Sequence, residues 1–195
     1  MGNLGSLANM LKKIQIPVKI SSDIAEIESA EKLILPGVGS FDHGMQKLEE
    51  LHLIEILNKK VIRDHIPILG ICLGMQLFSL TSEEGKRAGL GWLDAKTVKF
   101  SFPQNTSLKI PHMGWEELNI NKSHFLFQDS RLNAMYYFVH SFHLVCKKEE
   151  DILSTSHYGY DFVSSISKDN IIGVQFHPEK SHKYGMKVLE NFCTN

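Results

Sequence analysis

The sequence is poor in cysteine. Three are scattered at positions 72, 146 and 193 of 195 residues, with no Cys-x-x-Cys pair, so neither a disulfide framework nor a zinc knuckle is on offer. Charge of one sign is lacking too: 21 Lys plus Arg stand against 22 Asp plus Glu, a formal net charge of -1. That balance excludes a strongly basic nucleic-acid binder and a polybasic membrane anchor. No run approaches the ~20 apolar residues that cross a bilayer. The opening Met1-Gly2-Asn3-Leu4 has neither the charged flank nor the cleavage pattern of a signal peptide. Internal repeats, low-complexity tracts and a dividing linker are absent as well. What is there is 43% apolar and 22% charged, which predicts one soluble, reduced, cytoplasmic domain over residues 1–195.

Leu4, Leu7, Ala8, Leu11 and Ile14 recur at helical spacing, with Asn3 or Ser6 as a cap and Pro17 as the stop. Val18-Lys19-Ile20 then predicts a short strand. The apolar run at residues 32–35 predicts another, ending in the turn Pro36-Gly37-Val38-Gly39. Met45, Leu48, Leu51, Leu53 and Ile54 predict a helix closing near Asn58; residues 66–71 read as a strand and 73–80 as a helix. Strand–turn–helix alternation of this kind predicts an α/β fold with a parallel sheet flanked by helices. In the second half, residues 97–102, 117–120, 136–145, 162–167 and 171–176 read as short strands, and 185–192 as a closing helix.

Gly70-Ile71-Cys72-Leu73-Gly74 falls where a strand hands over to a helix. A nucleophile on such a sharp turn takes strained backbone angles, and bulky neighbours two positions away clash. The positive end of the following helix favours a thiolate. Alone, a buried core cysteine fits as well; between two glycines at a turn, Cys72 is the nucleophile candidate. Cys146 and Cys193 have no such setting and read as structural. A thiol nucleophile needs a base, and the base needs a group that fixes its ring. His177 leaves a predicted strand end, Glu179 lies two residues on, and Pro178 stiffens the backbone between them. A surface His-Pro-Glu turn is the alternative. His140 and His143, three apart in one predicted strand, should face opposite sides. His43, His52, His65, His112, His124, His157 and His182 show no metal-ligand spacing and read as surface or hydrogen-bonded structural residues. Attack on an amide builds charge on the carbonyl oxygen; the Leu73 N–H is one natural donor, and the Gly37-Val38-Gly39 turn offers another.

These residues resemble the class I, triad-type glutamine amidotransferases, and more narrowly the glutaminase subunits of imidazole glycerol phosphate synthases. The matching segments are Met1 to Leu4, Leu35-Pro36-Gly37-Val38-Gly39-Ser40-Phe41, and Gly70-Ile71-Cys72-Leu73-Gly74-Met75-Gln76-Leu77. Further on come Ile110-Pro111-His112-Met113-Gly114-Trp115, Tyr137-Phe138-Val139-His140-Ser141-Phe142 and Gln175-Phe176-His177-Pro178-Glu179-Lys180-Ser181. The resemblance implies a flavodoxin-like, mostly parallel sheet with a smaller antiparallel sheet beside it. Cys72 would attack the side-chain amide of L-glutamine, with His177 shuttling the proton and Glu179 orienting it. Val38, Gly39 and Leu73 would form the oxyanion element, and Gly37, Gly39, Gln76, Glu84, His140, Ser141 and Phe142 would hold the substrate. No metal or organic cofactor is implied. Met113, Trp115, Tyr137 and Lys180 would meet a (βα)8-barrel cyclase in a heterodimer, with no nucleic acid and no membrane involved.

Three departures accompany the resemblance. The family opens with a hydrophobic strand, whereas this sequence starts inside the turn that follows it, so a first strand is expected to be missing. An upstream apolar stretch of about 6 to 8 codons would restore it. Glu116 stands where Asn is usual, and Phe142 where Tyr is frequent. Two alternatives therefore stay open: a paralogous glutaminase subunit supplying ammonia to amidinate a surface-polysaccharide sugar, and a non-catalytic regulatory module that has kept the fold.

Overall fold

The computed structural model describes residues 4–104, 106–129 and 133–195; the expectations placed on Met1, Gly2 and Asn3 lie outside them. Helix α1 (Leu4–Lys13) opens the described chain, so Ser6 lies inside the helix and is not its cap. Helix α2 (Ile24–Ser29) follows, capped by Asp23, whose Oδ1 accepts from the Glu26 N–H at 3.1 Å. Strand β1 (Leu33–Gly37) leads to α3 (Phe41–Glu50) and α4 (Leu53–Asn58), then β2 (Ile68–Cys72) and the single turn α5 (Leu73–Gln76). Next come β3 (Thr81–Ser82), β4 (Ala95–Lys99), β5 (His112–Glu117), β6 (Asn119–Ile120), β7 (Met135–His140), β8 (Phe142–Cys146) and β9 (Ile152–His157). The chain closes with β10 (Asp161–Lys168), β11 (Ile171–Val174) and α6 (His182–Thr194).

Among the described residues, nine strands form one mixed sheet along the path β1-β2-β11-β10-β8-β4-β3, with β9 joining β10 and β6, and β5-β7 form a separate antiparallel pair. Parallel pairing joins β1, β2 and β11, and at the other end β3 and β4; β10 runs antiparallel to β11, and β8 to both β10 and β4. The expected second, smaller antiparallel sheet is thus β5-β7.

Side chains alternate across the parallel strands as the pleat requires. Ile68 and Ile171 enter one core, beneath α3 and α4, with Phe41, Met45, Val61 and Phe78. Leu69, Ile71, Ile172 and Val174 enter the other, beneath α1 and α6, with Leu11, Tyr136, Phe138, Phe176 and Phe192. Each fully buried aliphatic or aromatic side chain here contributes about 1.5–3 kcal/mol relative to exposure. Lys32, just ahead of β1, donates to the carbonyls of Phe192 and Cys193 and closes the last turn of α6.

Four expectations are corrected. Val18-Lys19-Ile20 form no strand; Val18 and Ile20 are about half exposed, and so short a segment has no ladder partner among the described residues. The helix expected up to Asn58 is two helices, because His52 adopts a left-handed φ of 56° between them. The helix expected over 73–80 stops after Gln76. The strand expected over 136–145 breaks at Ser141 into β7 and β8, which belong to different sheets. No helix among the described residues is long and apolar enough to cross a membrane.

Candidate active site

The C-terminal ends of β1, β2 and β11 converge, the place where open α/β sheets gather chemistry. Register puts Gly37 beside Cys72, and Ile71 beside Val174, so the segment after β11 carries His177 toward the end of β2. Cys72 has φ 53° and ψ -111°, a strained conformation for a residue with a side chain. The flanking glycines permit it. A Cβ on Gly74 would lie 1.8 Å from the Leu35 carbonyl oxygen, and one on Gly70 would lie 2.6 Å from the Phe78 ring and 2.7 Å from the Met75 nitrogen. The elbow therefore fits against β1 and its own following turn only without those methyl groups. Because α5 is a single turn, its dipole is weaker than that of the longer helix expected.

His177 is 2% exposed. Its backbone N–H donates to the Tyr137 carbonyl at 2.8 Å, and its own carbonyl accepts from Ser181 Oγ at 2.7 Å. Nδ1 lies 2.9 Å from Glu179 Oε1, which fixes the ring plane, and Nε2 is buried without a hydrogen-bond partner of its own. Burial alone would lower the imidazole pKa; the Cys72 thiol and then the Glu179 carboxylate outweigh it and raise the pKa to about 9. A group so poised, between a sulfur and an orienting carboxylate, can move protons for a covalent step. Elsewhere, burial and then Asp151 push the Cys146 thiol up to about 12, and burial raises Cys193.

Leu7, Pro36, Gly37, Val38, Ile71, His177 and Glu179 enclose a cavity of about 10 Å³, room for about one water. Val38 is 37% exposed, and Gly39 has φ 97° with open space where a Cβ would stand. Gly39 thus takes a backbone conformation that a residue with a side chain rarely adopts. Leu73 follows Cys72 directly and is buried.

The residues expected to hold substrate divide in two. Gln76 Nε2 donates to the Phe142 carbonyl and to Gln175 Oε1, both at 2.9 Å. Ser141 links Phe142 to His140, and its carbonyl accepts from the Phe100 N–H. Glu84 comes from a different wall, where its Oε2 accepts from the Phe41 N–H at 2.7 Å and anchors the start of α3. His140 does not line the cavity by its ring: Nδ1 lies 2.8 Å from the Phe142 carbonyl oxygen and Nε2 3.1 Å from His112 Nδ1. Nor do His140 and His143 face opposite sides. Both are buried against the Phe100 ring, at 5.1 and 4.7 Å, because the break at Ser141 resets the alternation.

Sequence alone does not single out Gln175. Its Nε2 donates to Cys72 Sγ at 3.5 Å, and the available signal was one polar residue at the end of the apolar strand Ile171–Val174. Met113, Trp115, Tyr137 and Lys180 form one surface. Met113 and Trp115 share the outer face of β5, 62% and 38% exposed. Trp115 meets the Tyr137 ring edge-on and stacks on His182, and Lys180 Nζ lies 5.3 Å over Tyr137. Among the described residues, no group of three or more His, Cys, Asp or Glu is placed to hold a metal ion.

Comparison with known proteins adds the following. The family description "Glutamine amidotransferase class-I" matches residues 2–195. An imidazole glycerol phosphate synthase subunit, HisH 2, of Methanococcus maripaludis is 53% identical over 192 residues, covering 98% of this chain and 94% of that protein. A subunit of the same name from Pseudomonas aeruginosa is 44% identical, with the same coverage. Among solved structures, a glutamine amidotransferase superposes with TM-score 0.70 at 17% identity, over 98% of this chain and 92% of that one. The glutaminase domain of Trypanosoma brucei CTPS, with bound acivicin, does so with TM-score 0.65 at 15% identity, over 96% and 84%. At such low identity the solved structures speak for the fold alone.

Proposed function

The chain belongs to the class-I glutamine amidotransferases, and from that premise we propose that it is the glutaminase subunit of an imidazole glycerol phosphate synthase, acting in histidine biosynthesis. It reads as one amidotransferase domain over residues 1–195, working in the cytoplasm. Cys72 attacks the side-chain amide of L-glutamine, and the oxyanion is met by the Leu73 N–H and the Val38–Gly39 turn. His177, held by Glu179, hands its proton to the departing ammonia. Water then resolves the γ-glutamyl thioester, and glutamate leaves. Gly37, Gly39, Gln76, Glu84, Ser141 and Phe142 hold the glutamine. The observation that carries the mechanism is the 2.9 Å contact of His177 Nδ1 with Glu179 Oε1 beside the thiol of the strained Cys72.

Free ammonia would be protonated and lost at neutral pH, so the subunit works beside an acceptor enzyme. A (βα)8-barrel cyclase seated on Met113, Trp115, Tyr137 and Lys180 fits this need. The test is glutamate release by the purified chain with and without the cyclase and its nucleotide substrate: stimulation supports the reading, and no glutamate under either condition overturns it. Trp115→Ala should weaken cyclase binding about 30-fold or more, as exposed aromatic anchors do. Titration calorimetry measures this, and the melting temperature should stay close to that of the parent because Trp115 is already part exposed.

A second reading gives the ammonia to another acceptor, such as an amidination step in surface-polysaccharide synthesis. It is favoured by Glu116, whose carboxyl occupies the strand that carries Met113 and Trp115. Failure to rescue a histidine auxotroph would decide for it.

A further inference from the structure

A chain of contacts runs from the rim of β5 to the nucleophile, and its proton positions can be assigned from one end. The Phe142 carbonyl can only accept, so His140 Nδ1, 2.8 Å away, carries a proton. Neutral in its buried setting, His140 then presents a lone pair on Nε2. His112 Nδ1, 3.1 Å from it, must donate, which leaves the lone pair of His112 on Nε2. That atom is buried without a hydrogen-bond partner, and Glu116 Oε1 stands 3.4 Å from it.

A carboxylate facing a lone pair repels it. Two arrangements relieve the conflict. With Glu116 protonated, its O–H donates to His112 Nε2 and the chain stands as described. With Glu116 ionised, His112 switches to the Nε2–H tautomer and its Nδ1 accepts from His140 Nε2–H. His140 then turns a bare Nδ1 toward the Phe142 oxygen, which loses one of its two donors. The balance is simple: one proton leaves the carboxyl for solvent, and each imidazole keeps one.

We propose that Glu116 and His112 are positioning residues for the glutamine site, setting through the tautomer of His140 whether the Phe142 carbonyl is held. That carbonyl also anchors Gln76, which bonds Gln175, which in turn reaches Cys72 Sγ. The relay ends on a carbonyl, so it transmits position and not protons. The proposal rests on the glutaminase reading of Cys72, Gln76 and Phe142.

Other groups bear on these residues. His157 of β9, itself paired with Asp161, faces Glu116. Tyr158 stacks on His112 at 4.0 Å, while His143 and His177 lie near His140 and Glu83 near His143. Burial raises the Glu116 pKa, against an opposing pull from His157, and burial lowers that of His112 to about 4.

The experiment reads the tautomer of His140 by nitrogen NMR in the full chain, wild type against Glu116→Gln, from about pH 5 to about pH 9. Wild type should pass from Nδ1–H to Nε2–H as pH rises. In Glu116→Gln the side chain donates or accepts at will, so the Phe142 carbonyl keeps His140 in the Nδ1–H form throughout. In the glutaminase assay, His112→Phe should raise KM for glutamine about tenfold with little change in kcat, and His112→Asn, which keeps a donor near Nδ1, should restore it. Identical tautomers in both proteins at every pH, or an unchanged KM in a folded His112→Phe protein, would overturn the proposal. A wild type without glutaminase activity whose His140 still answers to Glu116 would count against the glutaminase reading and leave the relay standing.

Discussion

Replacing Cys72 with alanine lowers glutamate release by about 10,000-fold or more, with the fold intact. The size follows from the role: a covalent nucleophile has no substitute, and removing one from a triad leaves only what binding and the oxyanion donors supply. The fold survives because alanine keeps the Cβ that already occupies the positive-φ elbow, so no new backbone strain arises. The same variant has a second signature. Burial lowers the His177 pKa and the thiol raises it, with Glu179 assisting, so without the sulfur the imidazole should titrate well below about 9, as proton NMR can follow. In the parent, a pKa raised above the ordinary histidine value has two consequences. Stability from the charged imidazole is fully present below about pH 6.5 and is lost as pH rises through about 9. The alkaline limb of kcat/KM should fall over the same interval, because a deprotonated His177 has no proton for departing ammonia.

Gly74→Ala is expected to be strongly destabilising. The added Cβ would sit 1.8 Å from the Leu35 carbonyl oxygen, deep inside contact distance, and the obstacle is backbone in the middle of β1 and not a side chain that can swing away. Either β1 separates from the elbow, which breaks the register that sets Gly37 beside Cys72, or the elbow retreats and takes the sulfur with it. Overpacking against backbone costs about 3–4 kcal/mol, and for a chain of this size that lowers the melting temperature by about 10 °C. Calorimetry measures the loss. An alanine variant that melts with the parent would show that the close approach of α5 to β1 is not needed.

The elbow was readable from sequence because its constraint is local: two glycines two residues either side of a cysteine meet a steric demand that few other pairs meet. His177-Pro178-Glu179 was readable for the same reason, since a two-residue spacing by itself brings the carboxylate to Nδ1. The histidine relay was not. His112 and His140 are 28 residues apart, and they meet because β5 and β7 pair with those two residues opposite each other. The alternation rule failed at His140 and His143 because it assumes an unbroken strand, and Ser141 breaks it. Helix α2 does carry a local signal, Asp23 three residues ahead of Glu26, the spacing of an N-terminal cap. Strand β9, rich in serine, offered little apolar alternation and took its place through pairing with β10. The number of strands on the mixed side of the sheet depends on such long-range pairing, which short motifs do not report.

The burial of the nucleophile, 7% exposed, also bears on how the idle protein survives. Peroxide and electrophiles seek exposed, reactive thiols first. Cys72 shares its core with Leu69, Ile71 and Phe176, which limits the approach of such reagents. The geometry that readies the sulfur for one guest thus shelters it from oxidation and alkylation between turnovers.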